Sequence, residues 1–518
     1  MKSRKVMAAK NVFSAVMYYV INSIIGFVSR KAFTVYLGSE LLGLNGLVSS
    51  VIAMLSLLEL GVASSIGYSL YRPLQEENYG EVKAIMQLFS KLYRFIGFAV
   101  FGIGLVLIPF LPYFIKTTIS QDYVVKVYLI FLADAVLSYF MAYRRTIFVS
   151  DQKDYINKNA DTVLYAITGI MQIAIICIWQ NYVASLIVKL TFTVINNVYL
   201  YRKAGKMFPY LNDKDVQGTL APEVKEKIVS DVKALFVIRV ASYCVTGTDN
   251  ILLSAFADLT AVAIYSGYVL IIGIVNNLFN RSFGYITANI GNYLISNDKE
   301  AIYSFFKKLN FINYLITSYT SVAMLTLFNE FISKVWLDET YIFPIAIVAL
   351  LVFNNYFRYI TQCAEAFRNA AGLYSPRPFV KYVALLEGAV NLGVSVFLAH
   401  YCNMGIFGIF LGTTVSTIVS TVTVVWIIYK FLFDKPQMHF YSSFAIYMLV
   451  SVVNGVISLG LFTICKTPYV IINLVIGVII SFVVPVVVNW LVFGRSEEWK
   501  YGMDMAQGIV GKVLKRGR

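Results

Sequence analysis

Long apolar runs constrain this chain more than any other feature of its sequence. About fourteen such runs occur, and a bilayer core about 30 Å thick needs about 20 apolar residues for each helix. Only helices and closed barrels satisfy their backbone hydrogen bonds in lipid, and continuous runs, unlike alternating ten-residue segments, select helices. With 58% hydrophobic and 14% charged residues among 518, the chain is far too apolar for soluble domains. The sequence therefore predicts an all-α polytopic membrane protein with about 14 transmembrane helices.

The predicted spans are separated by short polar turns. The N-terminal residues are basic, but the apolar run that follows is long and lacks a small-residue cleavage site, which predicts a retained first helix. The predicted spans lie near 11–37, 41–71, 87–113, 123–148, 158–180, 182–204, 229–256, 259–291, 305–328, 341–371, 377–400, 404–430, 441–464 and 468–493.

The distribution of the 43 Lys and Arg residues predicts the orientation. Most fall at the termini and in the even-numbered connections, and the opposite side holds Lys116, Lys126, Lys334 and Lys466. Both termini are therefore predicted to be cytoplasmic. Topology and anionic lipid account for the net charge of +15, so we expect membrane lipid and no nucleic acid as partner.

The arrangement of the spans predicts two lobes. Residues 202–233 form the longest hydrophilic stretch and follow six spans, as a seam between lobes does. Sliding the second half over the first sets Ser39-Glu40-Leu41 beside Ala257-Asp258-Leu259, and a slightly longer shift sets Arg145 beside Arg368. Because each unit has an even number of spans, the repeat is parallel, with a substrate site expected between its halves.

These boundaries give five predicted segments. They are an N-terminal six-helix lobe (1–204), a cytoplasmic linker (205–228), a C-terminal six-helix lobe (229–436), two extra C-terminal helices (437–493) and a cytoplasmic amphipathic tail (494–518).

Several cations lie within the predicted spans, where a charge costs about 2.5–3.5 kcal/mol at the bilayer centre and usually faces a cavity or a partner. Arginine can pair bidentately with phosphate, so these cations predict a cavity for an anionic cargo. Each of them could instead snorkel to the interface or form a static ion pair. The candidate substrate-binding residues are Arg30, Arg281, Arg239, Lys31 and Arg358, while Lys189 is the weakest candidate and is left out of the site.

Depth along the helices separates the candidate roles of these charges. Arg239 and Arg281 are predicted near mid-membrane and could hold one headgroup together, whereas Arg30 and Lys31 lie nearer the outer end of their span. Asp249 lies at that outer depth in the pseudo-equivalent helix, so we expect it to pair with Arg30 or Lys31 and close an outer gate.

The remaining intramembrane acids and amides have less definite roles. Glu59 joins Asp249 as a candidate ion-coupling or gating residue, without a more specific role. Intramembrane amides either bind sugar hydroxyls or tie helices together. These amides are Asn22, Asn45, Gln87, Asn196, Asn197, Asn276, Asn277 and Asn280.

Two stretches carry a family resemblance, YLGSELLGLNGLVSSVIAMLSLLELGVASSIGYSLYRPL and TDNILLSAFADLTAVAIYS. They resemble the polysaccharide-biosynthesis flippases of Gram-positive bacteria, within the multidrug/oligosaccharidyl-lipid/polysaccharide exporter superfamily. The resemblance implies two six-helix lobes that alternate between inward-open and outward-open states. The implied cargo is an undecaprenyl-diphosphate-linked oligosaccharide, moved from the cytoplasmic to the outer leaflet. The two extra helices would then form a groove for its lipid tail.

Two other functions remain open. Drug efflux by the same fold is one, although the cavity holds more cations than a cationic drug favours. A membrane glycosyltransferase or polymerase is the other, although the predicted outer loops are short. No nucleotide-binding loop, nucleophile triad or metal-ligand spacing occurs, so we expect no catalytic residue, metal or cofactor and a transporter driven by a coupling ion, the membrane potential or use of its product.

Overall fold

The structure is a computed structural model that describes residues 2–216, 218–220, 222–373 and 378–516. Within its helices some side chains are not described, among them that of Arg239 and all those after residue 508. In the described part every regular element is a helix. The chain divides into two compact units, residues 1–266 and 267–518.

Among the described residues of the first unit there are eleven α-helices and the start of a twelfth. They are α1 (Lys2–Tyr36), α2 (Gly38–Leu55), α3 (Leu57–Gln75), α4 (Tyr79–Leu107), α5 (Leu111–Phe114), α6 (Gln121–Ala142), α7 (Arg145–Ser150), α8 (Tyr155–Trp179), α9 (Tyr182–Met207), α10 (Pro222–Thr246), α11 (Asp249–Phe256) and α12 (Leu259–Ser296).

The second unit begins within α12 and holds the remaining helices. They are α13 (Lys299–Phe331), α14 (Ile345–Ala370), α15 (Pro378–Val396), α16 (Gly405–Ile428), α17 (Met438–Ile464), α18 (Val470–Phe493) and α19 (Glu497–Arg516). Helices α13, α15 and α16 each continue into a π-helical turn.

The predicted all-α membrane fold is confirmed. Each predicted span coincides with one helix or with two successive helices; for example, the predicted span 41–71 is divided between α2 and α3 at Ser56. In the described residues, eleven helices are long and apolar enough to cross a membrane. The chain is therefore a multi-pass membrane protein, whereas the predicted segment boundaries and the parallel repeat stay predictions.

Packing in the first unit brings α1, α6, α8 and α9 together. Helix α1 packs along α8, and α9 packs against both α6 and α8. Helix α3 packs between α4 and α10. At Gly43 of α2 the backbone passes very close to α12, since a Cβ atom there would lie only 1.8 Å from the carbonyl oxygen of Leu259.

Hydrogen bonds from Lys83 and Arg144 hold the first part of the connection between α9 and α10. The Lys83 ammonium group donates hydrogen bonds to the carbonyl oxygens of Asp213 and Val216. Arg144 Nη2 donates to Asn212 Oδ1 at 2.8 Å. These bonds hold residues 212–216 against α4 and against the turn between α6 and α7.

Helix α13 is the central helix of the second unit. It packs against α14, α17, α18 and α19, while α16 packs against α14 and α15. An aromatic cluster forms much of this core. The stacked rings of Tyr314 and Tyr447 have centroids 4.2 Å apart, and the ring centroid of Phe311 lies 6.4 Å from that of Trp499 of α19. The C-terminal helix is therefore anchored on the second unit at its first turn.

Candidate functional site

Two of the predicted gate residues are held by neighbouring side chains of α12. Arg30 donates a hydrogen bond from Nη1 to Ser266 Oγ, and Tyr265 donates from its hydroxyl to Asp249 Oδ2 at 2.7 Å. Asp249 is buried at the start of α11, with 5% of its surface exposed. The fold thus brings the cation of α1 and the carboxylate of α11 to one turn of α12, whereas their direct pairing stays a prediction.

The predicted cargo-binding cations of α1, α10 and α12 other than Arg30 lie in different environments. Lys31 is exposed on α1, one position from Arg30. Arg281 is partly buried on α12. Arg239 belongs to α10, but its side chain lies outside the described residues. A shared grip of Arg239 and Arg281 on one headgroup therefore stays a prediction.

Arg358 belongs to a group of four charges in the second unit. On α14, Arg358 and Arg368 interact electrostatically with the partly buried carboxyl group of Glu365. Both arginines also interact with Glu387 of α15, which accepts a hydrogen bond from Ser420 of α16. Arg358 thus lies within electrostatic reach of two acids, and its role in cargo binding stays a prediction.

Glu59 lies among tyrosines of the first unit. Its carboxyl group accepts a hydrogen bond from Tyr93 Oη at 2.8 Å and another from Tyr139. The two rings are 6.0 Å apart. Helices α3, α4 and α6 thus meet at a partly buried acid that accepts hydrogen bonds from two hydroxyl donors. Sequence reasoning found the acid but not the donors, because tyrosines are so frequent in the chain that none stands out.

A cavity of about 550 Å³ lies within the first unit and was not predicted. Side chains of α1, α2, α6, α8 and α9 line it together with Arg145 of α7. Arg145 Nη2 contacts both carboxylate oxygens of Asp161, at 2.5 and 2.7 Å. Asn196 donates from Nδ2 to Asp161 Oδ1 at 2.9 Å. The sequence had singled out Asn196 as an intramembrane amide, but not the pairing of Arg145 with Asp161.

Several of the predicted intramembrane amides are found in that cavity wall. Asn45 accepts a hydrogen bond from Tyr182 Oη at 3.0 Å, and Asn197 donates to Ser138 Oγ at 3.2 Å. These bonds join different helices, so both amides tie the bundle together while also facing the cavity.

Comparison of the sequence with known protein families identifies a match. The profile described as "Polysaccharide biosynthesis protein" matches residues 8–287, which is more than half of the chain. Among proteins of curated function, no sequence matches at a significant level.

Three solved structures illustrate the structural similarity. The lipid II flippase MurJ, in an inward closed conformation, has a TM-score of 0.65 at 13% identity, with 93% of this chain and 99% of that chain covered. An inward-facing multidrug resistance MATE family transporter of the MOP superfamily has a TM-score of 0.59 at 13% identity, covering 80% and 98%. A mutant of the Vibrio cholerae MATE transporter VcmN has a TM-score of 0.55 at 14% identity, covering 84% and 99%. At these identities the similarity establishes the fold.

Proposed function

Because the chain belongs to the polysaccharide biosynthesis protein family and has the fold of MOP-superfamily transporters, we propose that it is a flippase for cell-surface polysaccharide synthesis. Its cargo is an undecaprenyl-diphosphate-linked oligosaccharide, moved from the cytoplasmic to the outer leaflet of a bacterial membrane by alternating access. Both termini are cytoplasmic. The family match over residues 8–287 carries this proposal, and the MurJ-like fold supports it.

In this proposal the diphosphate binds the cations of the spans. Arg30 supports such a role because its hydrogen-bond partner Ser266 is a neutral hydroxyl that does not cancel the guanidinium charge. Lys31 and Arg358 contribute further positive charge, and Arg239 and Arg281 hold the headgroup near mid-membrane. Asp249 pairs with Arg30 or Lys31 to close the outer gate, and cargo phosphate or a coupling cation competes for that pair.

A flipping assay tests the transport step directly. Purified protein in vesicles receives a fluorescent undecaprenyl-diphosphate-linked oligosaccharide, and an impermeant reagent measures the fraction of cargo in each leaflet. We expect the wild type to exchange cargo between leaflets and Arg30→Ala to lose at least tenfold in rate. Arg72→Ala is the matched control, since Arg72 pairs with Glu76 on an exposed surface. Equal rates for the two variants would remove Arg30 from the site.

A second experiment tests the shared headgroup grip. We expect the double variant Arg239→Ala/Arg281→Ala to lose flipping more strongly than either single variant. Full transport by the double variant would exclude these two residues from the binding site, without bearing on whether the protein is a flippase.

The MATE-like fold keeps ion-coupled multidrug efflux as the second candidate. Deletion of the gene, followed by analysis of lipid-linked intermediates, distinguishes the two functions. Accumulation of intermediates in the cytoplasmic leaflet supports the flippase. Unchanged intermediates together with altered drug sensitivity would favour efflux.

A further inference from the structure

The cavity of the first unit has the size of a small-molecule site. Its volume of about 550 Å³ lies within the roughly 300–1,000 Å³ that ligand pockets usually occupy. Five membrane-embedded helices contribute to the wall, and every one of them belongs to the same compact unit. The cavity therefore belongs to a single packed bundle.

Charges at this cavity are already paired within the protein. Arg145 contacts both oxygens of Asp161, and the Lys189 ammonium group lies 3.4 Å from Asp134 Oδ2. Two cations thus face two carboxylates. A charged ligand would have to displace one of these partners and leave the other charge poorly compensated in a low-dielectric setting, which is costly. The electrostatics therefore favour a neutral ligand.

Amide and hydroxyl groups supply the remaining polar surface of the cavity. Such groups offer donors and acceptors side by side, as a ligand with many hydroxyl groups requires. Those that line the cavity include Asn45, Ser49, Gln172, Thr193, Asn196 and Asn197.

Asn196 presents an unused acceptor among these groups. Its Nδ2 must face Asp161, because a carboxylate only accepts hydrogen bonds, and this fixes the orientation of the amide. Its Oδ1 is buried and has no hydrogen-bond partner within the described residues. A buried carbonyl oxygen without a donor costs about 1–3 kcal/mol. A ligand hydroxyl that donates to Asn196 Oδ1 removes this cost.

Aromatic rings add an apolar part to the same wall. Tyr18 and Tyr165 both line the cavity, with their ring centroids 6.3 Å apart. A tyrosine ring provides a rigid apolar face together with one polar group. The C–H face of a pyranose ring is a suitable partner for such a surface.

From the paired charges, the amide-rich wall and the free oxygen of Asn196, we propose that this cavity binds an uncharged sugar residue of the cargo glycan. This inference rests on the proposed function for the source of the sugar. The cavity recognises the sugar, whereas the diphosphate is bound at a different site by cations elsewhere in the chain.

Direct binding of neutral glycosides tests the site without any transport step. The probes are a panel of methyl hexosides added to the purified full-length protein, with tyrosine and tryptophan fluorescence or calorimetry as the readout. We expect at least one hexoside to bind, and Asn196→Leu to weaken its binding about tenfold or more. Binding of none of the hexosides, or equal binding by Asn196→Leu, would overturn the proposal, as would a cavity that responds only to sodium ions or protons.

Two threonines on α9 provide a closely matched comparison. Thr193 and Thr191 each donate a hydroxyl hydrogen bond to the carbonyl oxygen four residues earlier, at 3.0 and 2.8 Å, but only Thr193 lines the cavity. Replacement of either by valine removes the same kind of intrahelical bond. We expect Thr193→Val to weaken hexoside binding about two- to tenfold, the effect of one hydrogen bond, and Thr191→Val to leave it unchanged. Equal effects of both substitutions would show that the hydroxyl acts through the helix and not through the cavity.

Flipping experiments separate this inference from the proposed function. With carriers that bear or lack the glycan, we expect Asn196→Leu to slow only the glycan-bearing carrier. Equal slowing of both carriers would overturn the sugar site while leaving the flippase intact. If the wild type flips neither carrier, the proposed function fails, and hexoside binding still decides whether the cavity recognises sugar.

Discussion

Arg30 and Asp249 reach the same turn of α12 from two different helices. Their partners, Ser266 and Tyr265, are adjacent in sequence and so project about 100° apart around the helix axis. A small rotation of this turn would change both contacts at once. The predicted outer gate would therefore act through this turn.

Exchanging the charges of this pair tests the gate. We expect Arg30→Asp and Asp249→Arg each to abolish flipping, because like charges would then face each other at the turn of α12. The double variant should regain a substantial part of the wild-type rate, measured in the vesicle assay. The exposed pair Arg72 and Glu76, at 2.8 Å, is the control, and its exchange should leave the rate unchanged at each step. A double exchange as inactive as the single variants would count against pairing of Arg30 with Asp249.

The ion pair of Arg145 and Asp161 should stabilise the first unit. Its side chains are 27% and 17% exposed, so solvent screens the pair only in part. We expect Arg145→Met to lower the free energy of unfolding by about 1–3 kcal/mol, because it leaves the carboxylate of Asp161 without its cation. The double variant Arg145→Met/Asp161→Leu should recover much of that loss, and Arg72→Met should cost less than about 0.5 kcal/mol.

Unfolding in detergent micelles, followed by tryptophan fluorescence, measures this cycle. A double variant that loses as much as the sum of the two single variants would show that Arg145 and Asp161 contribute independently. In that case the cavity wall would not depend on the pairing of its charges.

Among the helices, α18 packs within the second unit through a face of small and polar residues. Its outward residues are large and apolar, whereas its buried residues recur at every fourth position and are small or polar. That spacing lines up one face of a helix. The buried residues of α18 are Asn473, Gly477, Ser481, Pro485 and Asn489.

This face forms polar contacts with α13 at three heights. Tyr314 Oη donates to Asn489 Oδ1 at 2.6 Å, and the hydroxyl groups of Thr326 and Ser481 are 2.5 Å apart. At the far end, Asn473 Nδ2 donates to Glu330 Oε1 at 3.3 Å. Lipid surrounds apolar helices as favourably as protein does, so polar contacts and close packing must hold α18 in place.

Removal of one of these contacts should weaken the packing of α18 against α13. We expect Asn489→Leu to cost about 0.6–1.7 kcal/mol, because the buried hydroxyl of Tyr314 then lacks its acceptor. Val487→Leu is the control on the same helix, since Val487 is 47% exposed on the outward face. Thermal unfolding in micelles gives the comparison. Equal stability of both variants would mean that packing alone holds α18 against α13.

The sequence predicted where helices lie better than what they contact. Apolar length alone locates α18, since lipid requires about 20 apolar residues for each span. Its contacts with α13 depend on which face of the helix turns inward. Asn473 and Asn489 are two of the few polar residues in this apolar run, and the run does not reveal their partners. The pairing of Arg145 with Asp161 was missed for the same reason, because it depends on how α7 packs against α8.

Both units contain the same order of functional groups along the chain. In the first unit, Arg145 comes first, then Asp161 on the next long helix, and then Asn196 on the helix after that, with hydrogen bonds among them. In the second unit the corresponding order is Arg368, Glu387 and Ser420. The sequence comparison had aligned only the two arginines. This shared order is what the predicted parallel repeat requires, and the repeat itself stays a prediction.

Native cysteines offer a test of how the chain is oriented in the membrane. Cys402 precedes α16 and Cys465 follows α17, and both thiols are exposed, whereas Cys363 is buried within α14. The excess of Lys and Arg at the termini and in the even-numbered connections predicts that both exposed thiols lie on the outer face. A membrane-impermeant maleimide should therefore label intact cells at these two positions.

The double variant Cys402→Ser/Cys465→Ser should remove this labelling, and Cys363→Ser should leave it unchanged. In that double variant, Ser496→Cys places a thiol before α19, where labelling should require permeabilised cells. The opposite pattern, with Cys402 and Cys465 reached only after permeabilisation, would invert the orientation. Arg30 and Asp249 would then lie toward the cytoplasm, and their pair would close the inner entrance.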